Sequence, residues 1–251
     1  MIKLFRKVRQ RLLAQNRFSS YMLYAIGEIV LVVIGILIAL QINNWNQQRL
    51  IESQERIYLE DIKRDFTFDI ETLDKKLAQN ETAIESVSEV LTLISSKRDF
   101  SDEDKVKFYL LMTPLFGESY FIPEQGTINQ IEASGAGSYI QNKALKDEIF
   151  RYYSSREREE KNMEQSVQLY QHNYVSTNLL SVGIDPAFSE LAFNDRYDFE
   201  PIDISLLLKD KLFTNALFFK TTMSARQNSV YQSVQLEAER IIALINDELS
   251  P

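Results

Sequence analysis

The chain has no cysteine and a single histidine, His172. Disulfides and thiolate metal sites are therefore excluded, and a histidine-rich metal site or a serine triad of the usual form lacks its parts. Glycine and proline are also scarce, at seven and five of 251 residues. After Gly35 neither occurs until Pro114. They then gather as Pro114, Gly117, Pro123, Gly126, Gly135 and Gly137, and again as Gly183, Pro186 and Pro201. Three breaker-free tracts remain, each far longer than a strand. Strand signals are nearly absent, and no internal repeat is visible.

An excess of positive charge is missing from most of the chain but not from its start. Residues 1–20 carry six bases, Lys3, Arg6, Lys7, Arg9, Arg11 and Arg17, and no acid. The remainder carries 22 bases against 36 acids. An acidic body excludes nucleic acid as a partner, because phosphates would be repelled. A basic arm beside an apolar run points instead to the anionic cytoplasmic leaflet of a lipid bilayer. Within it Leu4, Phe5, Val8 and Leu12 share one helical face, the pattern of an interfacial helix.

One apolar run stands out, from Tyr24 to Trp45. As a helix it is about 31 Å long, close to the ~30 Å hydrocarbon core. Tyr21 and Tyr24 at one end and Trp45 at the other suit the interfacial aromatic belts. The run is long for a signal peptide and ends in Gln41-Ile42-Asn43-Asn44-Trp45 rather than a small-residue cleavage site. An uncleaved anchor over residues 21–45 is expected. Six bases precede it, and only Arg49 and Arg56 follow closely, so the N-terminus is expected in the cytoplasm and residues 46–251 in the periplasm.

The run contains one acid, Glu28. Gly35 and Ala39 lie on its helical face and form a small-xxx-small pair that admits a second helix. Glu28 therefore reads as part of a packing face, as a shallow acid reaching water or lipid amines, or as a proton-coupling group.

The stretches "MIKLFRKVRQ", "MLYAIGEIV" and "VIGILIALQINNWN" resemble the N-terminal signature of a family of single-pass inner-membrane proteins from Bacteroidota, built on a domain of unknown function. The resemblance is close over residues 1–48 and weaker over "GTINQIEASGAGSYIQNKALKDEIFRYY", residues 126–153, where relatives tend to carry a large aliphatic residue and this chain has Ala136. It implies a bacterial inner-membrane location and no particular activity.

In the first tract Phe66, Ile70, Leu73, Leu77, Asn80, Ile84, Val87, Leu91 and Ile94 alternate steps of four and three, a heptad seam broken by Asn80. The helix is expected to leave the membrane without a stop and to reach about Ser96. Ser101 with Asp104 then resembles a capping box, opening a short helix to Met112. The second tract, from about Gln141 to Ser181, carries Leu145, Ile149, Tyr152, Met163, Val167, Tyr170 and Tyr174 at helical spacing. Its charged centre, "SREREEK", is expected to face solvent. The third, Ile204 to Leu249, carries Phe213, Leu217, Tyr231, Val234, Ala238, Ile241 and Ile245. The fold class is all-α: one transmembrane helix continuing into an antiparallel bundle of long helices.

Candidate chemistry is thin. Gly135-x-Gly137 follows no strand and reads as a helix C-cap, not a phosphate loop. Asp195, Asp198, Glu200 and Asp203 offer oxygen ligands to Ca²⁺ but lack the EF-hand glycine and spacing. Tyr120-Phe121, Tyr152-Tyr153 and Phe218-Phe219 suit a bundle core and its cap. No catalytic residue, cofactor or metal is expected. The sequence favours a non-enzymatic envelope scaffold that binds a second copy or another envelope protein. The polar seam residue Asn80 supports that reading. An extracytoplasmic sensor, or an accessory subunit of an ion-motive complex using Glu28, is the alternative.

Overall fold

The computed structural model describes residues 18–96, 99–117, 120–179, 182–195 and 197–250, and the chain divides into two units, Met1–Arg56 and Ile57–Pro251. Among the described residues there is no strand. Helix α1, Phe18–Ser96, is continuous over 79 residues; it holds no proline, and no glycine after Gly35.

In the first unit α1 is largely apolar and exposed at every position from Ile29 to Ile42. It is the one described helix long and apolar enough to cross a membrane.

In the second unit the capping box forms as expected. Ser101 Oγ accepts from the Asp104 N–H and the Asp104 carboxylate accepts from the Ser101 N–H, opening α2, Asp102–Phe116. That helix runs past the expected end at Met112 and includes Pro114. The proline stands within its last turn, so the bond it cannot donate is one of few remaining. Helix α3, Gly126–Ser134, ends at Gly135, whose φ of 68° is the left-handed C-cap that glycine adopts freely. A 3₁₀ turn, Ala136–Ser138, leads to α4, Lys143–Tyr170, capped by Asn142 and continued as a π-helical segment, Gln171–Leu179. Helix α5, Pro186–Phe193, a 3₁₀ turn, Ile204–Lys209, and α6, Lys211–Leu249, complete the unit.

Side-chain pairs give the helix directions. Lys63 bonds Asn246, Asp74 bonds Gln235 and Asn80 bonds Asn228, so α6 runs antiparallel to α1. Asn142 meets Glu248 and Arg156 meets Glu237, so α6 is antiparallel to α4 as well. Two apolar cores result. One gathers Leu59, Ile62, Phe66 and Leu73 with Ile149, Tyr152, Ile241 and Ile245. The other gathers Val87, Val90 and Ile94 with Phe108, Met112, Phe213 and Leu217.

Three expectations need correction. The seam is right at Phe66, Leu73, Asn80, Val87 and Ile94, all buried, but its companion row is Ile62, Asp69, Ala83 and Val90. Ile70, Leu77 and Ile84 are half-buried flanks and Leu91 is exposed. Asn80 is paired within the chain, so it lends no support to an oligomeric seam. Arg156, in the charged centre of α4, is buried: it bonds Glu159 and Glu237 and lies 5.5 Å over the Tyr152 ring.

Candidate functional site

In the first unit the expected packing face stands open. A Cβ added at Gly35 would meet nothing within 4 Å, Ala39 is exposed and Glu28 is half-exposed. At 100° per residue, Gly35 and Ala39 lie within about 20° of Glu28. Trp45 is exposed, with the Arg49 guanidinium 5.0 Å from its ring centroid. Tyr21 and Tyr24 lie on α1. Lys3, Arg6, Lys7, Arg9, Arg11 and Arg17 lie outside the described residues.

The second unit holds a polar centre that the sequence pattern did not reveal. Asp65 and Asp69, one helical turn apart on α1, are both buried. Helix α3 begins with N–H groups that have no intrahelical acceptor, and its N-cap, Gln125, provides no side-chain bond. Asp65 and the Glu124 side chain, which accepts from the Gly126 N–H, supply what is missing, and Asp69 holds the residue before the N-cap. Asp65 Oδ2 accepts from the Thr127 N–H at 3.2 Å, and Asp69 Oδ1 accepts from the Glu124 N–H at 2.8 Å. Negative charge is also favoured at this end of a helix. The Tyr152 hydroxyl donates to Asp69 Oδ2 at 3.1 Å.

Burial pushes Asp69 up to about 7, against the pull of the Glu124 N–H and the Tyr152 hydroxyl, with the neighbouring Asp65 and Glu124 charges adding to the rise. Burial and then the Asp69 charge push Tyr152 and Tyr153 well above an ordinary phenol. A carboxyl poised near neutrality is a possible acid or base. Here both of its oxygens are engaged by the fold and the residue is only 1% exposed. The centre is an anchor that fastens α3 to α1.

Two further buried charges have similar tasks. Asp185 accepts from the Ala187 and Ile202 N–H groups and from Lys105 Nζ, each at 3.0 Å, and so ties the chain before α5 to α2. Burial raises this carboxyl, but the two N–H groups and Lys105 outweigh it and hold the group below the usual range. The C-terminal carbonyls of α2 are satisfied by Tyr170, Gln171 and Lys220, which donate to Leu115, Phe116 and Gly117 at 2.6, 3.0 and 3.1 Å.

The other sequence candidates are dispersed. His172 and Phe218 are exposed, whereas Phe121, Tyr152 and Tyr153 belong to a core. Asp203 caps the 3₁₀ turn through Ser205, and among the described residues no three His, Asp or Glu side chains are placed to hold a metal. Asp65 and Asp69 carried one signal in the sequence: two acids four apart, the second in register between Phe66 and Leu73.

Fold and site together define an all-α protein with one long apolar N-terminal helix and a helical unit built around buried acids. The chain belongs to DUF6090, a family of unknown function, which matches residues 28–177. The match begins at Glu28 and includes the Asp65–Asp69 centre, α3 and α4, but not the basic arm at residues 1–20. No curated protein and no solved structure matches the chain.

Proposed function

We propose that this is a single-pass, non-enzymatic protein of the bacterial inner membrane, of the Bacteroidota kind, with its basic arm on the cytoplasmic leaflet and its helical unit in the periplasm. There it acts as a scaffold that binds a second copy or another envelope protein. One observation carries the reading. From Ile29 to Ile42 every residue of α1 is exposed, including Leu31, Ile36, Leu37 and Ile42. An apolar surface of that length on all sides of a helix is stable in lipid and not in water. The excess of bases before it supports the orientation. The engagement of Asp65 and Asp69 with backbone N–H groups supports a structural rather than catalytic use of the buried acids.

Because Asn80 pairs with Asn228, a contact with a second helix is assigned to the Glu28–Gly35–Ala39 face instead. Topology reporters test the orientation. A phosphatase fused after Pro251 is expected to be active, and a reporter that works only in the cytoplasm silent. The reverse pattern overturns the reading.

A further inference from the structure

Between α4 and α6 lies a cleft of about 300 Å³, at the lower end of the range for small-molecule sites. Phe219, Met163, Met223 and Val230 give it apolar walls. Glu159 and Arg226 line it with opposite charges, so it favours neither sign of ligand. Gln227 also lines it and is fully buried, yet its Oε1 has no hydrogen-bond partner. The other end of the amide, Nε2, reaches only the Met163 sulfur at 3.5 Å, a weak acceptor. Turning the amide over would exchange the two ends without removing the deficit. One turn earlier on α6, Ser224 Oγ is likewise buried without a partner.

Buried polar side chains are normally satisfied, and methionine or leucine would fill the same space without an unmade bond. Among the described residues Tyr153, Arg156 and Ser224 also bury a polar atom without a partner, but of the four only Gln227 lines this cleft. Met163 is half-buried, and its flexible thioether is the group that meets the amide. A ligand that displaces it gains an amide able both to accept and to donate.

We propose that this cleft is a binding site for a small, mostly apolar molecule carrying a neutral head that both donates and accepts a hydrogen bond, an amide above all. The inference stands apart from the membrane reading, since every lining residue belongs to the second unit.

The absence of cysteine makes a direct test possible. Ser166 lines the cleft, so in Ser166→Cys the full chain, held in detergent, carries one thiol there. Its alkylation by iodoacetamide is followed with benzanilide, a neutral apolar amide, or with trans-stilbene, which has the same shape and no amide. Ser229→Cys, at an exposed position of α6, corrects for partition of both probes into micelles. Benzanilide is expected to protect Ser166→Cys about tenfold more strongly than stilbene, the factor that one further hydrogen bond supplies. Adding Gln227→Met should remove that difference while leaving the thermal midpoint unchanged or higher. Val230→Trp, which fills the cleft, should abolish protection by both probes. Equal protection by the two probes, protection by neither, or an undiminished difference in Gln227→Met overturns the proposal.

Discussion

Asn80 and Asn228, 148 positions apart in the chain, meet side chain to side chain at 2.9 Å, with Nδ2 of the first donating to Oδ1 of the second. The pair locks α1 and α6 in one register, and Asp74–Gln235 and Lys63–Asn246 repeat the lock toward the other end of α6. Removing one asparagine leaves the other with an unmade bond. Asn80→Leu is expected to lower stability by about 1–2 kcal/mol, and Asn80→Leu with Asn228→Leu to recover most of it. Urea midpoints of the four chains check this, and additive losses would show the pair to be uncoupled.

Asp69 sets a pH dependence of definite sign. Burial, the largest cause, raises its folded value from 3.8 to about 7, so the folded chain keeps a proton that the unfolded chain releases. Its contribution to stability is full below about pH 4, declines as pH rises toward 7, and then levels off. At ~1.4 kcal/mol per unit, the decline is bounded at about 4 kcal/mol. Urea midpoints measured from pH 4.5 to 8 should fall less in Asp69→Asn than in the parent chain. Parallel curves would assign the dependence elsewhere.

Asp185 titrates in the opposite sense. Burial raises it, but the Ala187 and Ile202 N–H groups and Lys105 bring it below its ordinary value. The stability it confers is present above about pH 4 and is lost as pH falls through the lowered folded value. Asp185→Asn is therefore expected to be less stable than the parent at pH 6 and to approach it below pH 3. A gap that does not narrow in acid would contradict this account.

The two rows of α1 make unequal demands. Leu73 is fully buried and Leu91 is 37% exposed. Leu73→Ala is expected to lose about 2–4 kcal/mol and Leu91→Ala less than about 1 kcal/mol. Chemical denaturation followed by circular dichroism distinguishes them, and equal losses would restore Leu91 to the seam.

Crosslinking in membranes addresses the apolar part of the same helix. Ile42→Cys introduces the only thiol on the Glu28 face of an otherwise cysteine-free chain. If that face packs against a second copy, Gly35→Leu abolishes disulfide crosslinking, and Glu28→Leu weakens it more than Glu28→Gln does. Crosslinking unchanged by all three substitutions would leave Glu28 a tolerated acid near the interface.

The long helices were legible in the sequence because they depend on local terms. Glycine and proline are absent between Gly35 and Pro114, and the apolar residues of α6 recur at helical spacing. The Ser101 and Gly135 boundaries follow from side-chain capping and left-handed backbone, which involve only a few neighbours. What pattern reading missed was the buried polar set. Asp65, Asp69, Arg156 and Lys220 look like surface residues by type. Their partners, Thr127, Glu124, Glu237 and Gly117, lie 55 to 103 positions away. Asp69 also displaced the seam assignment, since an acid in the buried row made the flank of Ile70, Leu77 and Ile84 look more apolar than the true one. The candidate face at Glu28 was visible because acids are rare in such runs. The cleft at Gln227 was not, because an unmade hydrogen bond exists only once two helices have been placed.

The antiparallel closure of α6 on α1 also bears on how the chain matures. Ile62 and Phe66 emerge early from the ribosome, whereas their core neighbours Ile241 and Ile245 emerge about 180 residues later. At roughly 5–20 residues per second, that interval lasts on the order of ten seconds or more. Helices α3 and α4 cover part of the apolar stripe and reach the aspartates at 65 and 69 within that interval, but the side that Ile241 and Ile245 close stays open until its end. A nascent chain in this state is incompletely folded and exposed to chaperones and proteases. Truncation before Ile241 should leave it permanently so.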